Sequence, residues 1–511
     1  MPLNPEAPDY ESLVPGRSGR GRESDAQVDA WFKSGKLQSF DEDRFKGSSS
    51  EANQETTATP ITHEIKGTGW LHRRGHTLTF VGLFIFSIVL YYRPYELIPA
   101  LSSLTQMAFY TGIATLAIYA ISQMAIEGNL TARPKEINMV LLLGLAAFLS
   151  MPMAVSIDDA WKTFSEQLLK TIVIFVVLIN VIRTEMRLKL LLLLVLAVSI
   201  YLSVSAINDY RLGEFSTGAL ATHDARIAGR IKGLFENSND LALHLVTMIP
   251  IALALGLAGR NPLKKLVYFG GAAIMVGAVI VTFSRGGFIG LVAAGLLLAR
   301  RLGRKNRVAT TAALVFAVIV FLAMAPGAYS GRLSSIFNSS ADLTGSSSQR
   351  TEVLKRSVWV ALRYPLFGVG IGNFQHKSPR NLVTHNAYTQ VAAEMGIAAM
   401  VVYILLQVYP LRRLRLIENE TYLKPERRKF YYLSIGLQAS LVGFMVSSFF
   451  GAVAYQWYVY YLVAYAVGLH RLYIMQFEPE RESAGKFWEH PFAKKKETLV
   501  TGAETSQLGA A

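Results

Sequence analysis

From about Thr77 onward, apolar runs of helical length alternate with short polar connections. About 20 helical residues cross a bilayer core, and the runs have that scale. The pattern predicts about twelve membrane spans. They fall near 77–92, 102–124, 137–154, 165–182, 188–206, 241–258, 265–283, 286–300, 308–326, 387–409, 432–450 and 455–475. The seventh and eighth are separated only by a tight turn at "TFSRGGF". The expected fold is an all-α integral membrane protein with a large, partly helical loop between spans nine and ten.

Residues 1–70 show no sustained apolar period. They are rich in Ser, Gly, Thr and charge ("GRSGRGRESD", "KGSSSEANQETTATP"), which predicts a disordered tail. Residues 71–475 then form the membrane domain, and 476–511 a second polar tail.

Charge orients the bundle. The connections "EGNLTARPKE", "VIRTEMRLK", "GRNPLKK", "ARRLGRKNR" and "LRRLRLIENETYLKPERRK" each hold at least two Lys or Arg, whereas the short alternate ones ("YYRPYELIPA", "AVSIDDAWK", "FSRGG", "FGAVAY") each hold at most one. Lys and Arg collect on the cytoplasmic side, so both termini are expected inside. Two longer segments, 207–240 and 327–386, then fall outside although they are basic. The first carries Arg211, Arg226, Arg230 and Lys232. The second carries Arg332, Arg350, Lys355, Arg356, Arg363, Lys377 and Arg380. Long loops translocate largely regardless of charge. An anionic ligand on the outer face is a physical reason for the excess.

Within the second segment, "SQRTEVLKRSVWVALRYPLFG" has helical spacing. Leu354, Val358, Ala361 and Leu362 share a face, Arg356 and Arg363 point away, Lys355 sits at the edge, and Pro365 ends the helix. Such a helix lies on the membrane surface or caps the bundle.

Composition agrees with the spans. The 511 residues are 51% hydrophobic and only 17% charged, and the mean hydropathy is +0.31. The net charge of +15 is read as basic inner loops rather than as a nucleic-acid footprint. With no cysteine, disulfides, thiol catalysis and Cys-bound metals are excluded.

Candidate chemistry collects at one expected level, the outer boundary. Arg285 is either an interfacial arginine that snorkels or a phosphate clamp, since its planar fork suits bidentate phosphate binding. The glycines after it would let a large head group approach. Arg230 and Arg226 precede a span whose start offers Asn237, Ser238, Asn239 and Asp240 as caps, and capping alone is an alternative to ligand binding. The run "GVGIGNF" lacks the strand–helix setting of a dinucleotide loop and reads as a tight turn. His385 is either a structural residue at a helix start or a general base. Asn386, Gln390 and Glu394 repeat every four residues and share a helix face. Glu394 is expected to face the bundle interior and pair with a cation there. No motif has metal-ligand spacing, and no cofactor is expected.

The stretches "GRIKGLFENSNDLA", "TFSRGGFIGL", "SQRTEVLKRSVWVALRYPLFGVGIGNF" and "HNAYTQVAAEMGIAAM" occur in an order that resembles the O-antigen ligase and O-antigen polymerase superfamily, over about 225–475. The resemblance implies a metal-independent, inverting transfer of a glycan from undecaprenyl diphosphate. The acceptor would be a glycan or lipid A-core hydroxyl at the periplasmic face of the bacterial inner membrane. It implies that His385 is the essential histidine and that Arg230 and Arg285 bind the diphosphate. Arg226, Arg350, Arg356 and Arg380 are further candidates for donor or glycan contacts, and Asn239, Asn386 and Glu394 for structural roles. A polymerase joining lipid-linked repeats remains an alternative, as does a protein acceptor. A proton-coupled carrier of anionic glycolipids, using an intramembrane Glu394, is the alternative from another class.

Overall fold

The computed structural model describes residues 76–92, 106–213, 237–304 and 346–477, with a few isolated positions between them. The tails, the run at 308–326, Arg226 and Arg230 lie outside the described residues. Among the described residues the fold is all-helical.

The helices are α1 (Thr77–Tyr92), α2 (Met107–Glu127), α3 (Lys135–Ser150), α4 (Ile157–Thr163), α5 (Lys170–Val181), α6 (Glu185–Leu212), α7 (Ser238–Ala258), α8 (Pro262–Val281) and α9 (Arg285–Leu302). They continue as α10 (Ser346–Arg363), α11 (Ala387–Met395), α12 (Ile397–Thr421), α13 (Arg428–Ser447) and α14 (Trp457–Phe477). A π-helical turn, Phe164–Leu169, joins α4 and α5 into one rod. Eight of these segments are long and apolar enough to cross a membrane. The predicted count of twelve also included α1, with 16 residues. It included α9, which carries Arg285, Arg300 and Arg301, and α14, rich in tyrosine with His470 and Arg471. Eleven helical segments fall at predicted span positions, but these three do not meet the length and polarity of a simple span.

One predicted span is divided. The run at 387–409 breaks at Gly396, where φ is 93°. A Cβ there would run into the carbonyls of Leu366 and Pro365, and Ile397 N donates to Pro365 O at 2.8 Å. The glycine therefore serves both a left-handed turn and a close backbone approach. The membrane-crossing helix starts at Ile397, and α11 is a separate short helix at its end.

Helices α7 and α14 are buried nearly all round, as helices apolar on every side must be. Helix α2 is at the other extreme, with most of its surface turned outward. Small residues bring α7, α9 and α13 together. A Cβ at Gly436 would meet Ala254 Cβ at 2.5 Å and Pro250 O at 2.9 Å. One at Gly290 would strike Ser447 Oγ. In a bilayer, where tails are as apolar as the side chains, such close packing drives helix association.

The helix order gives the bundle two ends. One gathers the start of α7, the α8–α9 turn, α11 and the α13–α14 connection: Ser284 Oγ donates to Asn239 Oδ1 at 2.8 Å, and Tyr388 OH to Met445 O at 2.9 Å. The other gathers the start of α3, the end of α7 and the α12–α13 connection. There Arg413 pairs with Glu136 at 2.9 Å, and Arg428 donates to Leu257 O at 2.6 Å.

Candidate functional site

The site is assembled at the first end. The α8–α9 turn is real: Phe283 has φ 52°, and Ser284 Oγ caps α9 by accepting from Gly287 N at 3.2 Å. Arg285 is therefore the first residue of α9, half-buried at a helix N-terminus. The glycines that follow serve packing. A Cβ at Gly286 would lie 2.6 Å from Phe450 Cβ, and one at Gly287 would lie 2.6 Å from Ala242 Cβ. They seat α9 against neighbouring helices, rather than opening the backbone to a head group.

Helix α11 begins beside it. Asn386 is its cap, with Oδ1 accepting from Tyr388 N at 2.9 Å and Thr389 N at 3.0 Å. That fixes the backbone of His385, the residue before the cap, which is half-buried. Burial lowers the His385 imidazole below its ordinary pKa, and the nearby Arg350 lowers it further. Helix α10 packs on α11 and is joined to it by Ser357 Oγ, which donates to Thr389 Oγ1 at 3.0 Å. Its first turns bring Arg350 and Thr351 to the same place.

Between these elements lies a cavity of about 230 Å³. Its polar wall is Arg285, Arg350, Thr351, His385, Asn386 and Thr389. Its apolar wall is Ile289, Leu354, Phe449 and Phe450. Among the described residues, no acidic side chain lines it. Two helix N-termini, those of α9 and α11, border it, and the positive ends of the two helix dipoles favour negative charge there.

Sequence reasoning found Arg285, Arg350, His385 and Asn386, and the fold brings all four to one cavity. Arg356 and Arg380 are not there. Arg356 Nε donates to Lys377 O at 2.7 Å and its guanidinium stacks on Trp359 at 4.4 Å, so it holds the loop. Arg380 is exposed in a left-handed turn. Asn239 binds the Ser284 hydroxyl and ties α7 to the α8–α9 turn, while Asn237 is the cap of α7. Thr389, Phe449 and Phe450 were missed. Their only sequence signal is the shared outer level of "HNAYT" and "FFGAVAY".

One expectation is refined and one corrected. Helix α10, expected to lie on the membrane surface or cap the bundle, buries Val353, Ser357, Val360 and Ala361, whereas Leu354, Val358 and Leu362 of its apolar face stay exposed. A helix of the outer segment has two possible partners, protein and lipid, and apolar periodicity does not tell them apart. Glu394 has no cation partner among the described residues. It accepts from Tyr455 OH at 2.6 Å and Gly372 N at 2.9 Å. Lying in α11, outside the spanning helix, it is pushed up by burial to a pKa of about 7. A carboxyl that is partly neutral needs donors more than a counter-charge.

Glu394 thereby pins the glycine loop. Val369 N and Gly370 N donate to the carbonyls of Ala393 and Glu394, which end α11. Gly370 has φ 93°, and a Cβ there would clash with Ala154. Asn373, which sequence reasoning passed over, exchanges hydrogen bonds with Ser156 N (2.7 Å) and Ser156 O (3.0 Å). His376 contacts Asp159 at 2.8 Å. The "GVGIGNF" run is thus a brace between α11 and the α3–α4 turn.

No curated protein matches the chain. The sequence model of the O-antigen ligase family matches residues 270–404, a stretch that contains the whole polar wall of the cavity. This match supports the O-antigen ligase superfamily for a chain whose apolar helices make it a multi-pass membrane protein.

Proposed function

We propose that the protein is a membrane glycosyltransferase of the O-antigen ligase type. It would move a glycan from undecaprenyl diphosphate to an acceptor hydroxyl, with inversion and without a metal. The observation that carries this reading is the convergence of His385, Arg285 and Arg350 on one cavity.

The chemistry fits a single displacement. The acceptor oxygen bonds to the anomeric carbon as the bond from that carbon to the phosphate oxygen breaks. The electron pair stays on the diphosphate. The hydroxyl proton passes to a ring nitrogen of His385, which its lowered pKa keeps neutral and ready to accept. Arg285 and Arg350 would hold the diphosphate and offset the charge that grows as it leaves. Resemblance adds Arg230 to them, from outside the described residues.

The cavity end is assigned to the periplasm. The opposite end carries Arg183, Arg187, Arg301, Arg304, Arg427 and Arg428, a cytoplasmic signature. The carrier reading relied on Glu394 as an intramembrane acid, and its place in α11 beside an outer loop gives that reading less support.

The test is transfer by purified protein in detergent, with an undecaprenyl-diphosphate glycan, candidate acceptors and no gradient. Product formation is expected. Movement of intact lipid-linked glycan in vesicles with no transfer in detergent would replace the enzyme with a carrier. Among acceptors, the lipid A core points to a ligase and a second lipid-linked repeat to a polymerase.

A further inference from the structure

Helix α10 leaves an apolar stripe exposed among the described residues. Leu354, Val358 and Leu362 are 41%, 43% and 68% exposed and follow one another at intervals of four, in a line along the helix. The line covers about 12 Å at 1.5 Å per residue. The opposite face, through Val353, Ser357 and Val360, is the one that packs on the protein.

The stripe starts at the cavity. Leu354 is both its first residue and part of the cavity's apolar wall, beside Phe449, itself 53% exposed. One opening of the site is therefore apolar and continues as an apolar track, while the cations lie on the other wall. An amphiphile with an anionic head and a long hydrocarbon chain matches both halves at once. A free phosphate or a water-soluble nucleotide sugar matches only the first.

From this continuity, and resting on the function proposed above, we infer that the stripe Leu354–Val358–Leu362 seats the first isoprene units of the donor's polyprenyl chain as it leaves the cavity. Helix α10 then does two things. Its first turns supply Arg350 to the head group, and its exposed face guides the chain toward the bilayer. The donor's head and the start of its chain are read by one rigid element, so chain length contributes to recognition through contacts outside the reacting centre.

The experiment compares binding of undecaprenyl diphosphate with that of a one-isoprene diphosphate, too short to reach Val358 and Leu362, to the full-length protein in detergent. The variant is Val358→Ser/Leu362→Ser, two exposed positions outside the cavity whose loss leaves the fold intact. Wild type should prefer the long chain. The variant should lose roughly tenfold in affinity for the long chain, the scale of two half-covered apolar side chains, and nothing for the short one. Equal losses for both, or no loss for either, would assign the stripe to bulk bilayer lipid and overturn the inference. Transfer is measured in parallel. A chain-length effect on binding with no transfer by wild type would sink the proposed reaction and leave the track standing. Normal transfer with no chain-length effect would do the reverse.

Discussion

The two ends of the bundle use the same residue types for opposite purposes. At the end away from the cavity, cations meet buried carboxylates. Arg413 pairs with Glu136 at 2.9 Å, and Glu418 takes Arg304 at 3.3 Å and Gln438 at 2.9 Å. Arg428 instead satisfies Leu257 O at the end of α7. At the cavity end, Arg285 and Arg350 share a wall with His385, and among the described residues no acid lines it, while the buried carboxyl of Glu394 is turned to Tyr455 and the glycine loop. Cations paired with carboxylates inside the bundle build the fold. Cations and a histidine gathered on a cavity wall offer a surface that an anion can use.

The largest expected effect tests the cavity end. His385→Ala should lower transfer by about 10²–10⁴, the usual worth of a general base, while membrane abundance and thermal stability stay normal. Full activity at normal abundance would remove the assigned role. The matching change at the other end is Arg413→Ala. It strands Glu136 and should cost about 3–5 kcal/mol of stability, read as a lower melting temperature in detergent. The surviving folded protein should keep the wild-type KM. A variant that melts normally but fails in catalysis would erase the contrast between the ends.

Arg285→Ala should reduce transfer by about 10²–10³ with little change in melting. Arg285→Lys should restore only part of it, because a point charge replaces a bidentate fork. Next comes pH. His385 must be neutral to accept a proton, and burial and Arg350 both lower its pKa. The acid limb of kcat/KM should therefore lie below the ordinary histidine value of about 6.5. Arg350→Gln removes one of the two causes and should move that limb upward. An unmoved limb would mean that Arg350 does not act on His385.

The smallest effect separates the two kinds of buried carboxyl. Glu394→Gln should change stability by no more than about 1 kcal/mol, since a neutral group already suits that site. Its folded pKa, about 7, is raised above the unfolded value. The stabilisation it gives is then full below the usual carboxylate range and is lost as pH rises through about 7. Wild type should lose melting temperature across that window, and Glu394→Gln should lack that step. A loss as large as that of Arg413→Ala would show that Glu394 is held as a charge after all.

Much of the frame was legible in the sequence. The length of an apolar run, the basic connections and the tight turn before Arg285 are local properties, and each was read within a few residues of where it lies. The motif order was legible too, and the family match covers its central part. Two readings failed at contacts, and a third, the partner of α10, was left open by the sequence. The run at 387–409 looked continuous, because a glycine inside an apolar stretch does not announce that Leu366 and Pro365 will press on it. Helix α10 has apolar residues on more than one face, and the protein took Val353 and Val360 rather than Leu354 and Val358. Glu394 was given a cation because buried charge needs one, but burial made it partly neutral and hydroxyl and amide donors sufficed.

The sequence by itself determined that apolar helices would form, roughly where each would lie, and that Arg285, Arg350 and His385 would fall at one end of the bundle. Helix formation and the apolar length that suits a bilayer are set by neighbours along the chain. Only the tertiary structure decided that they face one space. Arg285 and His385 stand a hundred residues apart. What joins them is the packing of glycine-bearing α9 on α13 and of α10 on α11. That packing left Arg356 in the loop, brought Arg350 to the histidine and turned an apolar stripe of α10 away from the protein, because contact between distant segments is a property of the folded bundle.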